Sequence, residues 1–146
     1  MSFSINDFTS NHFPTDLYRA NLFQVEIDNI GRDGASFVVK GASIPGSTVE
    51  PVEVPFMNRV VKIAGDRTIA DWTIKVINDT NFKLRNAFER WMNGINNMTD
   101  NEGLTNPVDY QVDAFVDQLD RNGATIKTYT LRGVFPTALN PIPLDY

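Results

Sequence analysis

The stretch Tyr110-Gln111-Val112-Asp113-Ala114-Phe115-Val116-Asp117, followed by the turn Asp120-Arg121-Asn122-Gly123 and then Ala124-Thr125-Ile126-Lys127-Thr128-Tyr129-Thr130-Leu131, decides the fold class. Tyr110, Val112, Ala114 and Val116 fall on one side of an extended chain and Gln111, Asp113, Phe115 and Asp117 on the other, the period of a half-buried strand. Asn122-Gly123 tolerates the left-handed dihedrals of a tight turn, so the two runs read as a β-hairpin. Working outward, the same alternation recurs upstream. Phe23, Val25 and Ile27 oppose Gln24, Glu26 and Asp28 in a strand that ends at the turn Asn29-Ile30-Gly31-Arg32-Asp33-Gly34. Ala35 to Lys40 follows within hairpin distance and is expected to be its antiparallel partner. From Ile69 to Ile77, Ala70, Trp72, Ile74 and Val76 alternate with Asp71, Thr73 and Lys75, which continues the sheet.

A helix is predicted over 81–95. Asn78, Asp79 and Thr80 are capping candidates, Leu84, Phe88, Trp91 and Ile95 recur at helical spacing, and Gly94 marks the end. Such a stripe reports burial against a core. Residues 1–20 lack either period and read as an N-terminal arm, 96–109 as a polar loop, and 133–146, with Pro136, Pro141 and Pro143, as an irregular tail. The sum is one domain over 21–146, mainly β with one helix, an antiparallel β-barrel or sandwich with the helix packed on it.

Within that domain 41–66 stands apart. Pro45, Pro51 and Pro55 each remove a ladder donor, which disfavours a central strand and favours an edge or projecting ribbon. The ribbon is nevertheless rich in Val49, Val52, Val54, Phe56 and Met57. Composition leaves two readings level: a cover folded back over the core, or a surface that meets a partner.

Composition narrows the chemistry. The chain has 146 residues, net charge −5 and a pI near 4.7, a balance that disfavours gripping nucleic acid through its phosphates. No cysteine is present and His12 is the single histidine, so thiolate chemistry, Cys-based zinc sites and a Ser-His-Asp arrangement have no material. The acids are dispersed, and no enzyme, metal or cofactor is expected. Asp100-Asn101-Glu102-Gly103 resembles part of a calcium loop with Asp109 at the closing distance, but Met98 occupies the first ligand position. Between Trp91 and Asp120 lie Asp100, Glu102, Asp109, Asp113, Asp117 and Asp120 with no Lys or Arg, which reads either as a solvated face or as a surface that repels polyanions. The N-terminus lacks the pattern of a signal peptide and no apolar run approaches the ~18 residues of a membrane span. A soluble cytosolic product without membrane insertion is the expectation.

Val54-Pro55-Phe56-Met57-Asn58-Arg59-Val60-Val61-Lys62-Ile63-Ala64-Gly65-Asp66-Arg67-Thr68, continuing through Asp71-Trp72-Thr73-Ile74-Lys75-Val76-Ile77-Asn78-Asp79, closely resembles the tail tube protein of contractile-tailed bacteriophages. Ala20 to Ile27, Leu131 to Thr137 and Leu144-Asp145-Tyr146 extend the likeness, and tubes of R-type bacteriocins and type VI secretion systems look like relatives. The resemblance implies a virion protein, assembled in the host cytoplasm, whose homo-hexameric rings stack into a hollow tube inside a contractile sheath. The sheath, baseplate and tail-terminator proteins would be its partners, with the tape measure protein and genome DNA transiently in the lumen. It implies a lumen wall shared by strands of six subunits and lined by Glu26, Asp28, Asp113 and Asp117, with Asp71 as a further candidate. It also implies a ribbon that reaches the next ring through Val49, Val52, Val54, Phe56, Met57, Asn58 and Arg59. Members usually continue past the Leu-Asp-Tyr position into a final aromatic-rich strand, so the expectation is either a further strand beyond 146 or a sheet that closes differently here. The rival expectation is a monomeric ligand-binding β-barrel in which the ribbon lids a pocket.

Overall fold

In the computed structural model, which describes residues 5–6, 18–28, 30 and 39–146, the chain from 23 to 134 runs through seven strands and two helices. They are β1 (Phe23–Ile27), β2 (Val39–Ala42), β3 (Ser47–Phe56), β4 (Arg59–Ile69), β5 (Ile74–Val76), α1 (Lys83–Ile95), α2 (Pro107–Tyr110), β6 (Val112–Leu119) and β7 (Thr125–Val134). The strands form three antiparallel sheets, β1-β6-β7, β2-β5 and β3-β4, a mainly β fold with helices packed on it. Among the described residues these sheets do not close into a barrel. Most of the arm expected over 1–20, with His12, lies outside the described residues, as do 31–38 and Asn29.

The core sits where β1 crosses β6. Register pairs Val25 with Val116 and Ile27 with Ala114, and these four side chains are 0–4% exposed. Trp91 from α1 closes the cluster, stacked on Phe88 with ring centroids 6.2 Å apart. Its indole N–H donates to the Tyr110 carbonyl at 2.9 Å, tying the helix to α2 just before β6 begins. The helical stripe read from the sequence faces this cluster: Leu84, Phe88 and Ile95 are half-buried beside Trp91.

Several local expectations are corrected. β1 pairs with β6; of its expected hairpin partner 35–40, residues 35–38 lie outside the described residues, and Val39 and Lys40 lie in β2, which pairs with β5. The pairing with β6 brings two apolar strand faces under one tryptophan. The run 69–77 is not one strand. β4 ends at Ile69 as the partner of β3, while Ile74–Val76 belongs to a different sheet; Ala70–Thr73 crosses between them, Ala70 N–H still donating to the Gly46 carbonyl and Thr73 C=O accepting from Ser43 N–H. Gly41 and Ala42, expected in the ribbon, lie in β2.

The helix begins at Lys83, whose N–H reaches the Asp79 carboxylate at 3.3 Å, and it passes Gly94 to end at Ile95. The loop after it folds back on that end: Leu104 N–H donates to the Gly94 carbonyl, and a Cβ at Gly103 would lie 1.9 Å from the Ile95 oxygen. The loop expected over 96–109 contains α2, which takes Tyr110 out of the strand, and β7 runs on to Val134.

Trp91 therefore carries packing and a tether together. Trp91→Ala should cost about 3–5 kcal/mol as a large-to-small core change, and lower the thermal midpoint by roughly 10 °C at about 2–4 °C per kcal/mol. Trp91→Phe should lose less, about 1–3 kcal/mol for the orphaned Tyr110 carbonyl, as measured by circular dichroism melts.

Candidate assembly surfaces

In the three-stranded sheet, paired residues share a face, and the apolar set points to Trp91. The opposite face collects Gln24 and Glu26 from β1 with Phe115 and Asp117 from β6, because Gln24 pairs with Asp117 and Glu26 with Phe115. Asp28 donates its N–H to the Asp113 carbonyl, placing those two carboxylates at the same end of the same face. Four of the five acids expected on a lumen wall thus come together on one sheet surface. Asp71 does not join them: it lies exposed in the crossover between β4 and β5.

The face is held in shape by its own strands. Thr128 on β7 donates its hydroxyl to the Asp117 carboxylate at 2.6 Å, and Gly133 N–H donates to Asp113 at 3.4 Å. Phe115, half-buried at the centre of this face, interrupts the acids with an aromatic ring. Strand alternation alone places it between Asp113 and Asp117; the register adds Glu26 directly across from it.

The second surface is the β3–β4 hairpin. Met57 and Asn58 form its two-residue turn, both with positive φ, 45° and 61°. These are the dihedrals of the turn whose twist matches paired strands, and they suit Asn or Gly at both positions. Asn58 is well placed there. Met57 is not, because a long side chain in the left-handed region is strained, and it stands 84% exposed.

Register pairs Val52 with Ile63, Val54 with Val61 and Phe56 with Arg59, so one face carries five apolar side chains and a guanidinium at its tip. The other face carries Pro51, Glu53 and Pro55 opposite Ala64, Lys62 and Val60, with a Glu53–Lys62 ion pair at 3.6 Å between exposed groups. A register shift lies between Val49 and Pro51, where the Gly65 backbone approaches Glu50 so closely that a Cβ would meet its oxygen at 2.5 Å.

Apart from Gly65, every residue of the two strands is exposed. Val61 and Ile63 complete the apolar face but were absent from the site set read from the sequence. The period-two pattern on both sides of Met57-Asn58 would have found them.

A cleft of about 200 Å³ lies between Tyr18, Phe23, Ile44 and Gln118. It is smaller than the roughly 300–1,000 Å³ of ligand pockets, and no hairpin residue lines it. Of the ribbon expected over 41–66, Ala42, Ser43 and Ile44 line this cleft.

Residues 6–146 match the family described as phage tail tube protein. The chain belongs to the phage tail tube family. It is 34% identical over 143 residues to tail tube protein gp19 of Enterobacteria phage T4, covering 97% of this chain and 87% of that protein, and equally to its counterpart in Enterobacteria phage T6. The tail tube protein of Serratia phage KSP90 is 33% identical over 101 residues, 69% of this chain and 57% of that protein. The match to the tail tube family includes both surfaces described above.

Because the hairpin strands are exposed and their apolar face lies outside the described core, removing apolar groups from its tip should not unfold the subunit. Phe56→Ser with Met57→Ser is expected to keep the monomer's thermal midpoint within about 2 °C of the parent, since exposed sites usually contribute within about 0.5 kcal/mol. A loss of many degrees would show the hairpin to be core cover.

Proposed function

We propose that this chain is a structural, non-catalytic subunit of the inner tube of a contractile phage tail. Hexameric rings stack through the β3–β4 hairpin, and the acidic sheet face lines a lumen that conducts genome DNA. The observation that carries this reading is the hairpin: Val52, Val54, Phe56, Val61 and Ile63 on one exposed face, behind a turn that holds Met57 in a strained, fully presented conformation. A monomer gains nothing from that arrangement. Burying such side chains between subunits contributes about 1.5–3 kcal/mol each when complete, repeated at every subunit of a ring.

Assembly must overcome like charge, since six copies at −5 carry −30. An obligate interface of about 2,000 Å², two thirds apolar, supplies on the order of 30 kcal/mol of gross burial before association entropy, more than screened surface repulsion at physiological salt. The lumen assignment rests on Glu26, Asp28, Asp113 and Asp117 sharing one face, and it omits Asp71. A wall that repels phosphates lets DNA slide, whereas rings of Lys or Arg would retain it by releasing counterions. Sheath, baseplate and tail-terminator proteins would then meet the remaining outer surfaces, with assembly in the host cytoplasm.

Negative-stain images of concentrated protein should contain hollow stacked rings, and Phe56→Ser with Met57→Ser should remove them while leaving a folded subunit. Monomer at every concentration in light scattering would overturn the proposal. For the lumen, Glu26→Lys with Asp113→Lys brings each chain from −5 to −1. The expected phenotype is particles of normal shape whose DNA release is slowed at low salt and restored at higher ionic strength. Wild-type release rates at low salt would remove the electrostatic role.

A further inference from the structure

The two long edges of the hairpin differ in what they can bond. The turn at Met57-Asn58 makes Phe56 and Arg59 a hydrogen-bonded pair, and alternation from there fixes every backbone direction in the distal half. Val54 and Val52 point their N–H and C=O groups inward to Val61 and Ile63. Pro51, Glu53 and Pro55 point outward on β3, and Val60, Lys62 and Ala64 point outward on β4. Two of the three outward positions on β3 are therefore prolines and offer no N–H. All three on β4 offer both a donor and an acceptor.

Charge separates the edges in the same sense. β3 carries Glu50 and Glu53 with no basic residue, whereas β4 carries Arg59, Lys62 and Arg67 against Asp66 alone. The chain as a whole is at −5. An approaching copy is attracted to the β4 edge and repelled from the β3 edge, and two β4 edges repel each other. Head-to-tail association is favoured over a two-fold contact.

We propose that the hairpin recruits a strand edge of a second copy of this chain by β-sheet addition along β4, and that Pro51 and Pro55 close the β3 edge so that pairing has one direction. This rests on the tube reading and adds to it which edge bonds. A ribbon open on both sides would pair promiscuously, the hazard of any long apolar edge. With one edge closed, each hairpin accepts one strand, which suits a growing tube over an irregular aggregate.

Glu53 and Lys62 allow a matched test, because they are cross-strand partners with outward backbones and either substitution removes the same ion pair. Lys62→Pro deletes one outward donor from β4 and Glu53→Pro deletes one from β3, with inward ladder bonds kept in both. In the full chain, Lys62→Pro should reduce sedimentable polymer about tenfold or more while Glu53→Pro leaves it within about twofold, the asymmetry expected of strand addition to a single edge. Equal losses in both variants, or loss in Glu53→Pro alone, would overturn the edge assignment while wild-type tubes leave the tube reading standing. Wild-type protein that never polymerises overturns both.

Should Lys62→Pro lower the monomer's melting midpoint, residue-resolved hydrogen exchange on wild-type polymer decides the matter. Val60, Lys62 and Ala64 amides should slow about tenfold or more on assembly and Glu53 should not. Unprotected β4 amides in the polymer would refute the proposal.

Discussion

The antiparallel pairing of β1 with β6 is the contact on which the rest depends. It sets Val25 against Val116 and Ile27 against Ala114, and Trp91 rests on the result. Because strand side chains alternate, burying this set obliges Gln24, Glu26, Phe115 and Asp117 to face away from the helix together. The acidic surface is thus the reverse side of the core. A slip of one residue in that register would put carboxylates under Trp91 and valines in the open, a double penalty that fixes the register firmly.

Small cores rarely hold long appendages, and here the core does not try to. Among the described residues only Val25, Ile27, Trp91, Ala114 and Val116 are fully buried, while the hairpin keeps its own ladder bonds and little else. An isolated two-stranded ribbon is marginal in water. Its own strands contribute a tight turn, a glycine that lets the chains approach at the bulge, and an ion pair whose exposure makes it weak. The ribbon is ordered enough to present its apolar face and too weakly supported to be the source of the subunit's stability.

Sequence patterning made legible whatever is local. The alternation of β1, β6 and β7, the stripe on α1 and the apolar proline-rich ribbon all follow from periods of two or 3.6 within one segment. Pairing is not local, and there the reading stops short. Nothing in Phe23–Ile27 says that its partner lies some ninety residues on. Nothing in the unbroken alternation of 69–77 says that it serves two sheets, because Ile69 and Ile74 belong to the same pattern but to different ladders. Asp71 shares that alternation but stands in the crossover between β4 and β5, not in the β1–β6–β7 sheet. The αL Met57 was equally hidden, since Met-Asn is no strong turn signal and only the closing pair Phe56–Arg59 forces it.

If the hairpin stacks rings as proposed, the subunit has its stability and its assembly in separate places, with a physical consequence for the tube. Mutations beneath Trp91 would act on folding and leave both outer surfaces chemically unchanged, whereas under the proposed stacking changes along Val52, Val54, Phe56, Val61 and Ile63 would act on association. Residues far apart with no shared partners contribute additively. The two sets therefore vary independently until assembly couples them: once the hairpin is covered by another copy, its burial free energy is added to the folded state by mass action, and the marginal ribbon acquires the stability of the polymer. Under the proposed stacking, the strain at Met57 would be offset at the moment the tip meets another copy.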